Sequence, residues 1–190
     1  MAWHDCAHTA TPQRADGTAP GGNNFAKIIT NGLQMHFEKV VLDCAYKLDV
    51  EEAGGKTYLD NTLVTLVNDQ GVKTHTGVDR AVLTLGSAGG YFKTGLFADY
   101  RNKTRKVKSF SGSVDFYAGM FINQFWANIL YAMGLPRDEW DRYGVPGKGY
   151  GFNSISQFLD SGSDAFFVSN SSYVPQIATQ AGDKLPIVTA

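Results

Sequence analysis

Cysteine is nearly absent from this 190-residue chain: Cys6 and Cys44 are the only two, too few for a disulfide framework. No apolar run approaches the roughly 20 residues that cross a bilayer as a helix, and no basic-then-apolar leader of the secretory kind stands at the start. Excess charge is lacking as well. Its 17 basic residues face 18 acidic ones, a formal net charge of −1, which leaves no electrostatic footprint for nucleic acid or an anionic membrane surface. There is no G-x-S-x-G elbow, Walker loop or dinucleotide fingerprint, and no nucleophile can be named. What the chain does have is length and an apolar content of 43%, enough for one ordinary domain with a real core.

After a Pro- and Gly-rich polar stretch over 10–24, apolar residues recur at Phe25, Ile28, Ile29, Leu33, Phe37, Val40, Val41, Cys44 and Leu48. Spacing by three and four predicts one long helix, capped by Asn23 or Asn24, with Cys44 as a small core residue and His36 packed beside the stripe. The aliphatic runs Thr62–Val67 and Ala81–Leu85 read as buried strands, the second followed by the glycine-rich "GSAGGYFKTG". Helix, buried strand, loop and buried strand predict an α/β layered fold with a mostly parallel sheet flanked by helices. A second amphipathic helix is expected over about 117–133, burying Phe121, Phe125, Trp126, Ile129 and Met133 and stopped by Gly134 and Pro136. The organisation expected is a main α/β portion over 1–150. An irregular Gly-, Ser- and Asn-rich extension over 151–190 follows it, with one short helix near Ile155–Leu159 and an edge strand at its end.

Ligand-type side chains concentrate in three places. His4 and His8 are spaced one helical turn apart, in "AWHDCAHTA", so both imidazoles can converge on one ion. Asp69 with Gln70, and then His75, follow the first strand in "NDQGVKTHTG". A zinc-type site needs three or four N, O or S donors at about 2.0–2.3 Å, and no single segment supplies them. The run Arg101, Lys103, Arg105, Lys106 and Lys108 reads as a solvated loop or, alternatively, as a patch for an anionic ligand.

Taken together, "HDCAHT", "YLDNTLVTLVNDQG", "THTG", "AVLTLGSAGGYFKTG" and "ILYAMGLP" before "DRYG" resemble the secreted bacterial HXXSHH-domain family. His4 takes the first signature position and His8 the fifth, with Ala7 standing at the Ser and Thr9 at the final His. The resemblance runs from about residue 3 to 150, and "LDNTLV…GGYFKTG" is its most specific part. That family is similar in turn to the alkaline phosphatase and sulfatase-like superfamily, whose α/β core carries paired metal ions at the strand ends. The resemblance implies a partial layered fold of that type, with zinc or another divalent ion held by His4, His8 and His75 and with Asp69 nearby. Gln70 stands where a His ligand belongs, and the half of the superfamily domain that supplies its Ser or Thr nucleophile has no counterpart here.

The resulting expectation is a C-terminal segment of a secreted, periplasmic or cell-envelope protein, non-catalytic or cryptic, with a divalent-metal site at His4, His8, Asp69 and His75. The alternative is a metal-dependent phosphate- or sulfate-ester hydrolase, complete only with its N-terminal half, in which the ion polarises the ester and activates the nucleophile. A third is an anion-binding protein that uses the Arg101–Lys108 loop.

Overall fold

The apolar spacing after Asn24 does produce a helix, although not a uniform one. The computed structural model describes residues 25–67, 80–104, 106–108, 115–117, 119, 120, 122–142, 180 and 182–190. Within it, Phe25–His36 is α-helical (α1), Phe37–Leu42 widens into a π-helical stretch, and Asp43–Leu48 (α2) returns to α geometry. A π turn closes its hydrogen bond one residue later than an α turn, so residues beyond it arrive late on the buried face. Cys44, expected in the core, is therefore exposed, while Ala45 is buried with Val41. His36, the last residue of α1, is also exposed rather than packed.

"EEAGGK" does more than end the helix. It folds into a tight hairpin of Glu51–Ala53 (β1) and Lys56–Thr57 (β2), in which Ala53 pairs with Lys56. A two-residue hairpin turn that matches strand twist needs positive φ at both central positions, and Gly54 and Gly55 supply φ of 63° and 77°. These elements belong to a first compact unit that runs to Tyr58; a second begins at Leu59.

The short helix Tyr58–Asn61 (α3), which begins at the last residue of the first unit, leads into the second unit's Val64–Val67 (β3), which pairs with Val82–Leu85 (β4). The pairing is antiparallel, Val64 opposite Leu85 and Val67 opposite Val82. The mostly parallel sheet of an alkaline-phosphatase-like layer is thus overturned: among the described residues each sheet has two strands, and each pair is antiparallel. Two physical reasons account for the difference. A parallel neighbour needs a crossover, usually helical, and the residues between β3 and β4 carry no helical periodicity. Moreover, continuous apolar runs imply burial on both faces only when both faces are covered, whereas β3 and β4 are half-buried and Leu83 is exposed.

After β4 the chain doubles back onto the start of β3. Gly86, at φ 84°, lies so close to the main chain that a Cβ there would overlap the carbonyl oxygens of Thr62 and Leu59. Beyond it Ala88 N–H donates to Thr62 O, Gly89 N–H to Asp60 O, and the Ser87 hydroxyl to Asp60 O at 2.7 Å. Lys106–Lys108 (β5) and Asp115–Tyr117 (β6) then form another antiparallel pair.

The second amphipathic helix is Ile122–Ala132 (α4), shorter than its apolar pattern implied because Tyr117 belongs to β6. It ends as a glycine-capped helix should: Gly134 takes φ 78°, its N–H bonds Tyr131 O, and Leu135 N–H reaches back to Leu130 O. Met133, expected inside, falls past the last turn and is exposed. Arg137–Trp140 (α5) follows, with the Trp140 indole edge-on to Tyr131 at 5.1 Å.

The core of this unit is built around Phe92, Phe125 and Leu185, with Leu63, Val67, Val82, Trp126 and Ile129 packed against it. Leu185 belongs to the stretch 182–190, whose Thr189 also forms a β-bridge with Phe92. Among the described residues no helix is long and apolar enough to cross a membrane.

The turn at Gly86 gives the first expected outcome. Gly86→Ala combines a positive φ with a clash against two carbonyl oxygens, neither of which is a flexible side-chain end. It is expected to lower folding stability by at least about 2 kcal/mol in urea titration, whereas Gly89→Ala, with open space around its Cβ position, should cost distinctly less.

Candidate functional site

His4, His8, Asp69, Gln70 and His75 all lie outside the described residues, as do the boundary at Gly151 and the short helix expected near Ile155–Leu159. What the structure contributes is the frame around two of them. Because Val67 pairs directly with Val82, the stretch carrying Asp69 and His75 starts and finishes at one residue pair, so both belong to a single β3–β4 connection. Among the described residues no group of three or more His, Cys, Asp or Glu side chains comes together.

The basic run resolves partly into an ion cluster. Arg101 Nε and its terminal nitrogen donate to the two oxygens of Asp99, each at 2.8 Å, and Lys103 Nζ lies 3.2 Å from the same carboxylate. The Arg101 side chain and main-chain N–H, with Lys103, hold the Asp99 carboxyl well below the usual carboxylate range. These two cations therefore face an internal anion. Beyond them the chain passes into β5.

The glycine-rich turn is also self-directed. A phosphate cradle presents free N–H groups to the ligand, but here the N–H groups of Ala88, Gly89 and Phe92 are bonded to Thr62 O, Asp60 O and Ser87 O, and Gly90 N–H reaches the Ser87 hydroxyl at 3.0 Å.

The densest polar arrangement lies elsewhere, on the inner face of α4. Gln124 and Asn128, one turn apart, are fully buried. Asn128 Oδ1 accepts from the Tyr91 hydroxyl at 2.9 Å and from Leu185 N–H at 3.2 Å. Its Nδ2 donates to Gln124 O at 2.7 Å and to Asp183 O at 2.9 Å. All four hydrogen-bonding positions of the amide are thereby used. Gln124 Nε2 is shared between Asp183 O and Lys184 O at 3.3 Å, while its Oε1 has no hydrogen-bond partner among the described residues.

Two more tyrosines hold the same C-terminal stretch: Tyr131 donates to Gly182 O at 3.0 Å and Tyr100 to Pro186 O at 2.6 Å. Lys184 Nζ sits over the Tyr91 ring, 5.4 Å from its centroid. At the start of α5, Arg137 bonds the buried Asp141 carboxylate at 2.8 Å and lies 3.6 Å from Asp183. Burial raises the pKa of all three tyrosines above the ordinary phenol value, with the neighbouring Tyr131 adding to the shift at Tyr91.

None of these groups was among the candidate residues read from the sequence. The available signal was a pair of amides, Gln124 and Asn128, spaced by four on the same side of the helix as Phe125. Polar residues on a core face demand partners. No family model, curated protein or solved structure matches this chain.

Two outcomes are expected. Asn128→Leu leaves the Tyr91 hydroxyl and Leu185 N–H without their acceptor and Asp183 O with only the longer bond from Gln124, so urea unfolding should show a loss of about 2 kcal/mol or more. Gln124→Leu, which removes an orphaned acceptor along with its donors, should cost less. The second concerns pH. The folded state keeps the three hydroxyls protonated beyond the pH at which they ionise when unfolded, so it binds more protons in that range and stability falls as pH rises. Unfolding midpoints should therefore be level from about pH 7 to about pH 10, the ordinary tyrosine pKa, and drop above it. The triple replacement of Tyr91, Tyr100 and Tyr131 by Phe should flatten that drop.

Proposed function

We propose that this chain is a non-catalytic, cryptic segment of a secreted or cell-envelope protein of the HXXSHH type, with a divalent-metal site for which His4, His8, Asp69 and His75 are the candidate ligands. Three imidazoles and a carboxylate form a donor set that suits zinc or a similar borderline ion. Such an ion would supply Lewis acidity toward a phosphate or sulfate ester.

The observation that carries the non-catalytic reading is the use to which the most family-like segment puts its polar groups. In "LDNTLV…GGYFKTG", the Ser87 hydroxyl, the Ala88, Gly89 and Gly90 N–H groups and the Tyr91 hydroxyl all bond to the chain itself. The segment is a clamp that fixes β3, β4 and the aromatic core beside them. The sequence differences at Ala7, Thr9 and Gln70 point the same way. The pairing of Val67 with Val82 is compatible with the metal part of the proposal, since Asp69 and His75 both fall in the one sequence stretch that joins β3 to β4. Arg101 and Lys103, already engaged by Asp99, lend less support to a free-anion site.

Elemental analysis of protein purified without added metal is the direct test, and near-stoichiometric zinc, manganese or iron is expected. His8→Ala should release it. His36→Ala should not, because His36 is exposed at the end of α1. Loss from both variants, or no metal in the parent protein, would overturn the ligand assignment. The metal-loaded chain should not turn over p-nitrophenyl phosphate or sulfate; steady turnover would restore the hydrolase reading.

A further inference from the structure

The net charge of −1 hides a segregation along the chain. Residues 93–108 hold six of its 17 basic residues and one of its 18 acidic ones, so the remainder is acidic. The same stretch presents Phe97, at 92% the most exposed large apolar side chain among the described residues, with the exposed Leu96 beside it. Both follow Gly95, whose φ of 72° turns the chain. The loop that carries them is fixed at several points. Lys93 N–H donates to Val188 O at 2.8 Å, and the Tyr100 hydroxyl donates to Pro186 O at 2.6 Å. Gly119 comes so near that a Cβ there would overlap Tyr100 O. Asn102 Oδ1 accepts from both the hydroxyl and the N–H of Thr104, at 2.7 and 3.1 Å. Ile187, between the two acceptors Pro186 and Val188, is itself 64% exposed. An anchored loop and the strip that anchors it therefore offer three apolar side chains to solvent.

The charge around the tip decides what it suits. Asp99 draws the Arg101 and Lys103 heads to within 2.8 and 3.2 Å of its oxygens. Two residues span at most about 7 Å of main chain, so this cluster stands beside Phe97. Both cations are more exposed than the carboxylate they share. Arg101 spends its planar fork on Asp99 and so offers no bidentate grip to a carboxylate on a protein partner. Attraction to a charged plane needs no such grip, because it follows the net charge of the stretch. Apolar side chains at a point, with basic residues around them, are the composition of an interfacial anchor. We propose that residues 93–104 form a membrane-docking loop. Leu96, Phe97 and Ile187 enter the headgroup region of an anionic phospholipid bilayer, and the basic residues of 93–108 lie against its phosphates. A loop fixed in advance gives up little conformational freedom on docking. The metal proposal plays no part in this inference, and the two stand or fall separately.

Co-sedimentation of the full chain with sucrose-loaded vesicles tests this. The protein should pellet with equimolar phosphatidylglycerol and phosphatidylcholine and stay in solution with phosphatidylcholine alone. Added sodium chloride should release it, because salt shortens the screening length. Phe97→Ser should lower the partition coefficient on the order of tenfold and leave the urea midpoint where it was, since the side chain already faces water. Tyr46→Ser, which removes an exposed ring from α2, should leave vesicle binding unchanged. No pelleting with the anionic vesicles, equal pelleting with the neutral ones, or equal losses from Phe97→Ser and Tyr46→Ser would overturn the proposal. Two other outcomes would overturn it in favour of a different occupant. Release by inorganic phosphate beyond that given by sodium chloride of equal ionic strength would mark a free-anion site. A dimer seen by sedimentation velocity without vesicles, and lost in Phe97→Ser, would mark the tip as a contact between copies of the chain.

Discussion

The Asn128 side chain is the constraint on which the second unit depends. Leu185 N–H and Asp183 O lie where no neighbouring strand meets them, and a buried main-chain group left unpaired costs as much as a lost hydrogen bond. One amide answers both, and in the same place accepts the Tyr91 hydroxyl and bonds back to its own helix at Gln124 O. An apolar residue of equal size would pack but would satisfy none of them. One planar group thus ties together α4, the path of 182–190 and the Tyr91 ring, and the bonds from Tyr100, Tyr131 and Lys93 add to its hold on the same stretch.

Around that group the remaining architecture is arranged to present aromatic rings. The antiparallel β3–β4 pair brings Val67 and Val82 to one side, and the Gly86 turn carries the chain directly to Tyr91 and Phe92. Phe92 then meets Phe125 at 6.2 Å between centroids, and Phe125 meets Trp126 edge-on at 5.1 Å. Sheets of two strands are marginal by themselves. This hairpin persists because its inner face is covered by rings from outside the sheet and because its turn is fastened to the residues just before β3.

Periodicity made the helices legible in the sequence: α1, α2 and α4 follow from three-and-four spacing, and Gly134 marks the end of α4 by the chemistry expected of it. Two finer features were hidden. The π-helical stretch shifts the buried position from Cys44 to Ala45, and no residue type in "FEKVVL" announces a change of pitch. The positions of β3 and β4 were legible too, those of β1, β2, β5 and β6 were not, and the direction of β3 against β4 was missed because a short aliphatic run has the same composition in a parallel and an antiparallel pair. The Asn128 network escaped for a different reason. Its partners are main-chain atoms 55 and 57 residues away, and a main-chain acceptor carries no sequence signal. His4, His8, Asp69 and His75 were legible as chemistry alone, since spacing reports which donors exist and not where they meet.

The docking of 182–190 also bears on how the protein is made. Tyr100 waits 86 residues for its acceptor at Pro186, and Asn128 waits 57 for Leu185 N–H. Synthesis proceeds at roughly 5–20 residues per second, so for some seconds the nascent α4 carries an unanswered amide and an open Phe92–Phe125 surface. During that interval the chain is at its most adhesive, and it is a fitting substrate for a chaperone that covers apolar surface. Arrival of residues 182–190 ends this exposure in one step, answering the amide and covering the Phe92–Phe125 surface together.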